Sequence, residues 1–331
     1  MQAGTKRVID LQLEQSRVII PVRNGGARWR EAAEALKNAV TDVTQIAVVD
    51  SASSDGSDRV ALECGFELQR IPVESFNHGR TRQEAVERFC AGRRVVIFQT
   101  QDAVIESAES LGELLRQFES PQVGAAYGRQ LPHRGARAFE AHAALFNYRP
   151  ESESRSLGDA ARLGIKAAFL SNSFAAYRIE ALHQAGGFPD HLILGEDACV
   201  AMRMLTSGWR VNYCAESRVR HSHDYTLLQE MQRYFDFGVM HAQLPDLLAA
   251  FGAPEGEGIR FVRSELAYVA GRSPLRVPEV FVRNALKYAG YRLGRVFPRL
   301  SAPWRRRLSM TKGFWASPAG KLAVARSQLA Q

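Results

Sequence analysis

Hydrophobic positions come in short runs separated by small polar loops, and the spacing inside each run predicts an element. Residues 17–24, RVIIPVRN, set Val18, Ile19 and Ile20 in a row and stop at Pro21 and Asn24-Gly25-Gly26. That is a short buried strand running into a loop. Trp29, Ala32, Ala33, Leu36 and Val40 then follow helical spacing over 28–40. A second apolar run, Ile46 to Asp50, ends in SASSDGSD, where Ser57-Asp58 caps a helix through Leu62. Phe66 to Ile71 is a third strand candidate, 80–91 a helix, and Val95 to Phe98 a fourth strand. This rhythm predicts an α/β fold: an open, Rossmann-like, mostly parallel sheet flanked by helices. Unbroken apolar strands fit burial on both faces. Further on, Leu111, Leu114, Leu115 and Phe118 predict a helix within 103–120. The polar stretch 149–166, with Gly158 and Gly164, reads as a mobile loop. Residues 198–207 read as helical, 209–220 as extended, and 225–250, 260–270 and 280–296 as helices. There is no internal repeat and no low-complexity segment.

Composition adds boundaries. The 331 residues are 46% apolar and 24% charged, ordinary for globular chains, which excludes a coiled coil, a collagen-like chain or a disordered tail protein. No run approaches the roughly 18 to 20 apolar residues of a membrane span. Charges in MQAGTKRVIDLQLEQ stand where a signal peptide needs its apolar core, so a cytoplasmic protein is expected. Cys64, Cys90, Cys199 and Cys214 have no CxxC spacing, so reduced thiols are expected, without a disulfide framework or a zinc site.

The net charge of +8 is unevenly placed. Residues 1–224 carry 27 basic and 28 acidic side chains, residues 225–331 carry 16 and 7, and from Val280 onward there are 11 basic residues and no acid. In FVRNALKYAGYRLGRVFPR, residues 281–299, Phe281, Val282, Leu286, Ala289, Leu293, Val296 and Phe297 fall mostly to one side, with Arg283, Lys287, Arg292, Arg295 and Arg299 around them. Trp304-Arg305-Arg306-Arg307 and Lys312-Gly313-Phe314-Trp315 follow. Cations interleaved with aromatics suit a helix lying on an anionic membrane surface. The structural alternative is an ordinary solvated helix packed on the rest of the chain. No zinc-finger or RNP-type signature accompanies the patch, so no nucleic-acid partner is expected.

The chemistry-bearing residues cluster after strands. No GxGxxG follows the first strand and there is no GxxxxGK[ST], so neither a dinucleotide site nor a P-loop is supported. Asp50, and Gln101-Asp102 after FQT, stand at strand ends, where an open α/β sheet has its ligand crevice. Such a carboxylate accepts from a nucleobase or a ribose hydroxyl, ligates a divalent metal, or makes only a local turn bond. Gly195-Glu196-Asp197 opens a helical run and reads equally as acidic N-terminal capping. His221 and His223 in HSHD are spaced to face one side of a strand, as two metal ligands or as a solvated polar turn.

In order, PVRNG, VVDSASSDGS, FNHGRTRQEA, FQTQDA, GGFPDHLILGEDACVAMRML and VRHSHDYT resemble an inverting family 2 glycosyltransferase with the GT-A fold. FNHGRTRQ and HSHDYT resemble its bacterial rhamnosyltransferase branch, which builds surface polysaccharide such as O-antigen. The resemblance covers roughly residues 17–245. It implies that Pro21, Arg23 and Asn24 line the nucleotide pocket and that Asp50 contacts the base beside Ser51. Gly79 and Arg82 would lie near the nucleotide, and Gln101 and Asp102 at the sugar diphosphate. Asn172, in SNSFAAYR, would lie near sugar or acceptor. Asp197 would be the catalytic base with Glu196 on the acceptor side, and Asp102, His221 and His223 the metal contacts. The cofactor implied is Mg2+ or Mn2+. The family's acidic motif usually holds two or three carboxylates; TQDA holds one, so Arg80 or Arg82 becomes a candidate to share the diphosphate charge.

The expectation is therefore a leader (1–16), a GT-A catalytic domain (17–245) and a basic helical region for membrane docking (246–331). The enzyme would move a sugar, foremost L-rhamnose from dTDP-L-rhamnose or else the sugar of a UDP or GDP donor, to a saccharide or lipid-linked acceptor. It would be peripheral at the inner face of the cytoplasmic membrane. The other classes weighed are a nucleotidyltransferase, for which PVRNGGARW lacks the lysine of a phosphate-binding loop, and a non-catalytic assembly subunit, which Gln101 would suit.

Overall fold

The structure, a computed structural model, describes residues 14–252 and 255–329. Most of the expected leader, residues 1–13, lies outside the described residues. The first half alternates strand and helix: β1 (Ser16–Val22), α1 (Gly26–Ala39), β2 (Ile46–Asp50), α2 (Ser57–Glu63), β3 (Glu67–Arg70), α3 (His78–Phe89) and β4 (Val95–Gln99). The middle holds β5 (Val104–Ile105), α4 (Glu109–Arg116), β6 (Val123–Leu131), α5 (Ala138–Asn147), β7 (Glu153–Arg155), α6 (Ala160–Leu163), β8 (Phe174–Arg178), α7 (Ile179–Gln184), α8 (Glu196–Thr206) and β9 (Arg210–Arg220). Helices α9 (Leu227–Gln243), α10 (Pro245–Phe251), α11 (Glu255–Arg272), α12 (Val277–Arg295), α13 (Ala302–Leu308) and α14 (Pro318–Leu329) complete it.

One mixed sheet runs β3-β2-β1-β4-β8-β6-β9-β5, with β7 added beside β9. Strands β1 to β4 are mutually parallel where they pair, β8 is antiparallel to both β4 and β6, and β9 runs parallel to β6. The expected parallel arrangement holds for β1 to β4, but the whole sheet is mixed, since β8, β5 and β7 pair antiparallel with their neighbours, and the reversal at β8 lets strands from two halves of the chain end side by side. Strand parity sorts the core. Val18 and Ile20 of β1 point into the layer with Trp29, Leu36 and Leu111, while Ile19 points into the layer with Phe98, Tyr177 and Phe235. Each fully buried Val, Ile, Leu or Phe side chain contributes about 1.5–3 kcal/mol.

The stretch expected to be a mobile loop is pinned. Residues 153–155 add to the sheet edge at β9, and buried Arg155 donates to the carbonyls of Lys166 (2.8 Å) and Phe169 (3.3 Å). The C-terminal helices share the main core: Phe251, Phe297, Leu308, Phe314 and Trp315 belong to the cluster that contains Phe98 and Phe235. The expected boundary at 245/246 thus falls inside one continuous core.

Helices α9 and α12 approach backbone to backbone through glycines. A Cβ on Gly238 would stand 2.2 Å from the Tyr291 carbonyl oxygen, and one on Gly294 only 2.1 Å from that of Phe235. The helix over 280–296 is amphipathic in an unexpected sense. Arg283 and Lys287 are buried at 5% and 6% exposure, while Phe281, Val282 and Tyr288 face solvent. The buried cations meet acids of neighbouring helices: Arg283 meets Glu230 at 2.9 Å, and Lys287 lies 3.5 Å from Glu230 and 3.6 Å from Glu265. No helix among the described residues is long and apolar enough to cross a membrane.

Candidate active site

The order β3-β2-β1-β4 reverses the direction of chain progression between β1 and β4, and an open α/β sheet places its crevice at such a switch point. Register brings Val22 of β1 beside Asp50 of β2, so the loops after both strands emerge together. They are sewn by neutral hydrogen bonds: Asn24 N–H donates to Ser53 Oγ (2.9 Å), Ser54 N–H to Asn24 Oδ1 (2.8 Å) and Gly25 N–H to Ser57 Oγ (2.9 Å). Two non-glycine residues adopt left-handed backbone here, Asn24 (φ 47°) and Ala52 (φ 54°), strain of the kind that gathers at functional loops. Asp50 is 1% exposed and accepts from Ser53 N–H (3.0 Å) through one oxygen. Its Oδ1, and Ser51 Oγ, are buried with no hydrogen-bond partner among the described residues. Buried polar atoms rarely stay unsatisfied, so both have hydrogen-bonding capacity left to use.

Across the switch point, the Gln101 amide clasps the Arg23 backbone. Its Oε1 accepts from Arg23 N–H (2.6 Å) and its Nε2 donates to Arg23 C=O (3.1 Å). A carboxylate could not make the second bond. Glutamine here bridges the two loops, and its neighbour Asp102 is the one carboxylate that the TQDA segment brings to the cavity.

Strands β5 and β9 bring that carboxylate to the histidines, since Val104 pairs with Arg220. Asp102 Oδ1 lies 3.5 Å from His221 Nε2, and Oδ2 lies 3.7 Å from His223 Nδ1. Ligand atoms of the three residues all fall within 4.8 Å of one another. Burial pushes Asp102 up, but the His221 hydrogen bond and both imidazoles outweigh it and hold the carboxyl well below the usual range. One carboxylate and two imidazoles are a donor set able to hold a divalent cation.

The opposite side is built at the start of α8. Gly195 takes a left-handed conformation (φ 81°) and packs so closely on Met240 that a Cβ would meet its Sδ at 2.1 Å. Glu196 and Asp197 follow in the first turn. Asp197 accepts from Asn172 N–H (3.1 Å) and Ala198 N–H (2.8 Å). Glu196 Oε1 lies 3.0 Å from Arg82 Nη1 and accepts from the Asn172 side-chain amide at 3.0 Å. Tyr177 Oη donates to Asn172 Oδ1 (2.6 Å), which fixes that amide. The two carboxyls are driven apart. Burial and then the Glu196 charge push Asp197 up to about 6. Burial also pushes Glu196 up, but Arg82 and then His78 outweigh it and hold it below its ordinary value. A carboxylate raised toward neutrality is suited to take a proton.

Both sides open into one cavity of about 830 Å³. Pro21, Arg23, Arg82, Gln101, Asp102, Asn172, Glu196, Asp197, His221 and His223 line it. Asp50, Ser51 and Asn24 lie in the sewn loops beside it. Gly79 packs against the Pro189 carbonyl oxygen, which a Cβ would meet at 1.7 Å, so it holds α3 close. Of the two candidate arginines, Arg82 is committed to Glu196, and Arg80 donates to the Ser75 carbonyl oxygen outside the cavity lining. Arg233 of α9 lines the cavity over the Phe237 ring at 4.9 Å, with no carboxylate or hydrogen-bond partner among the described residues. Its charge helps depress His78 and His223, which places it near both sides of the site. Neither Arg233 nor Gln130, which holds His221, carried a signal in the sequence. Arg233 is one of many tail cations, and Gln130 ends an apolar strand.

The comparisons with known proteins agree with this architecture. The family model described as glycosyltransferase like family 2 matches residues 8–235. The O-antigen chain rhamnosyltransferase WbaN of Salmonella anatum is 41% identical over 299 residues, 90% of this chain and 95% of that protein. The O-antigen chain rhamnosyltransferase RfbN of Salmonella typhimurium is 40% identical over the same shares. Among solved structures, the mannosyltransferase PcManGT of Pyrobaculum calidifontis, in complex with GDP-Man and Mn2+, superposes with a TM-score of 0.52 at 15% identity, covering 99% of this chain and 95% of its own. That likeness identifies the GT-A fold. The chain belongs to glycosyltransferase family 2 and is an inverting glycosyltransferase.

Proposed function

We propose that the enzyme transfers L-rhamnose from dTDP-L-rhamnose to a saccharide or lipid-linked acceptor in O-antigen assembly. The sugar and the pathway rest on the two rhamnosyltransferase relatives. The site roles rest on one observation: a carboxylate raised to about 6 and an Asp-His-His cluster face the same cavity.

The nucleoside sits over the β1 and β2 loops, where the spare acceptors of Asp50 and Ser51 take its N–H or O–H groups. Pro21, Arg23 and Asn24 shape that end, and Gln101 bridges its loops. Asp102, His221 and His223 would hold a divalent cation, which would supply positive charge against the leaving diphosphate. The two imidazoles favour Mn2+ over Mg2+, which prefers oxygen ligands. Arg233 supplies the free guanidinium beside it. On the other side, Asp197 takes the proton of the acceptor hydroxyl as that oxygen attacks the anomeric carbon. Arg82, Glu196 and Asn172 hold Asp197 in place. A single displacement inverts the centre, so a β-linked donor gives an α-L-rhamnoside. The deciding experiment is a donor screen by release of nucleoside diphosphate. Turnover should be highest with dTDP-L-rhamnose, and a clear preference for a UDP- or GDP-sugar would overturn the assignment.

We infer in addition that the outer face of α12 and α13 docks at the inner face of the cytoplasmic membrane. Phe281, Tyr288 and Trp304 are 59%, 60% and 55% exposed, beside the exposed cations Arg292, Arg295, Arg306 and Arg307. Apolar side chains among cations fit an anionic bilayer surface. The protein should co-sediment with anionic vesicles and not with neutral ones, and equal behaviour with both removes the inference.

A further inference from the structure

We propose that Gln130 is a positioning residue that holds the Nδ1–H of His221, so that Nε2 is the nitrogen presented beside Asp102 to a divalent cation. This rests on the metal-site reading above and concerns a residue outside the ligand set.

Backbone geometry brings the two side chains together. Strands β6 and β9 pair in parallel, with a register jump between Gly128↔Cys214 and Arg129↔Arg218. Such a bulge re-aims the side chains that follow it. Gly128 is required at the jump, because a Cβ there would stand 2.6 Å from the Ser217 carbonyl oxygen. Beyond it Gln130 faces Val219, and His221 N–H donates to Leu131 C=O at 2.9 Å. Gln130 is 4% exposed and His221 8%, so neither side chain has water as an easy alternative partner.

Hydrogen-bond accounting then sets the proton. Gln130 Nε2 donates to Ser171 Oγ at 3.0 Å. Ser171 Oγ also faces Ser173 N–H at 3.4 Å and hydrogen-bonds Tyr148, so its own hydrogen has a use away from Gln130. With the amide so oriented, Oε1 is the atom 2.7 Å from His221 Nδ1. A carbonyl oxygen only accepts, so Nδ1 carries the hydrogen. Nε2, 3.5 Å from Asp102, is then the nitrogen that exchanges its hydrogen bond to the carboxylate for a bound cation. A histidine ligand is commonly fixed this way through its second nitrogen.

The chain reaches further than the cation. Ser171 precedes Asn172, whose N–H donates to Asp197 and whose side chain donates to Glu196. One short segment therefore orients the histidine on the leaving-group side and the base on the acceptor side.

The test uses the full chain and Mn2+ alone. In the metal-free wild type, 15N shifts should show a hydrogen on His221 Nδ1. Gln130→Leu, which removes the acceptor at similar volume, should weaken Mn2+ binding roughly 10- to 100-fold by calorimetry. Gln130→Glu keeps an acceptor at that position and should hold Mn2+ affinity within a few-fold of wild type. A His221 Nδ1 without a hydrogen in the wild type overturns the proposal whatever the variants do, including a Leu variant that fails to fold. So does a folded Gln130→Leu protein with wild-type Mn2+ affinity, provided His221→Ala lowers it. If His221→Ala leaves Mn2+ affinity unchanged, the metal site itself is wrong and the proposal falls with it.

Discussion

The nucleotide side and the acceptor side of the cavity are built from different materials. Over the first, loops after β1, β2 and β4 are held by hydrogen bonds of the uncharged Asn24, Ser53, Ser54, Ser57 and Gln101, joined by backbone N–H donation to Asp50 and Asp55, with no ion pair between the loops among the described residues. Around the second, buried charges face each other: Arg82 meets Glu196, whose charge in turn acts on the adjacent Asp197. The first side keeps buried polar atoms of Asp50 and Ser51 without a partner among the described residues. The charged side uses proximity of like and unlike groups to shift a proton equilibrium. Binding needs donors and acceptors in place, whereas proton abstraction needs a carboxylate whose affinity for a proton has been raised.

This contrast is open to measurement. The largest effect belongs to Asp197→Asn, which should lower transfer by about 10²- to 10⁴-fold while nucleoside diphosphate binding by calorimetry stays near wild type. Wild-type turnover would remove Asp197 from its role. Next, Arg82→Ala leaves Glu196 buried without its cation and should cost about 3–5 kcal/mol in denaturant unfolding. Third, turnover should fall on the acid side with a midpoint near 6, because Asp197 must be ionised to accept the proton. At pH 5 about a tenth of the plateau remains. Stability runs the other way: Asp197 binds its proton more tightly folded than unfolded, so its contribution is present at low pH and lost as pH rises from 3.8 through about 6. A midpoint that does not move in Asp197→Glu would assign the limb to another group. The smallest effect is Asn24→Ala, which removes neutral loop bonds and should cost about 0.5–1.5 kcal/mol by thermal melting. Equal destabilisation by Asn24→Ala and Arg82→Ala would erase the distinction between the two sides.

The nucleotide side was also the legible one. Its strands are unbroken apolar runs, its helices follow i, i+3, i+4, i+7 spacing, and α1 was expected over 28–40 and observed as Gly26–Ala39. Strands β6 and β8 left no such trace. VGAAYGRQL and FAAYR are rich in alanine and glycine, so their burial comes from neighbours and not from a pattern of their own. The pairing of Asp102 with the HSHD histidines depends on β5 lying beside β9, more than a hundred residues later, and no local spacing encodes it. The resemblance located Asp197, yet the reason for its altered proton affinity is a contact set that spans Arg82, Asn172 and Glu196. In the basic tail, local periodicity placed Arg283 and Lys287 at the rim of an amphipathic helix. Acids contributed by α9 and α11 drew them inside.

The glycine contact between α9 and α12 bears on how the enzyme can be handled. A chain cut after residue 245 would be an unfinished enzyme, not a smaller one. The cut would uncover the α9 face at Phe235, Gly238 and Val239 and strip Phe261, Arg283 and Lys287 from the cavity wall. Whatever seats on the outer face of α12 sits one helix diameter from the reaction, with no linker between.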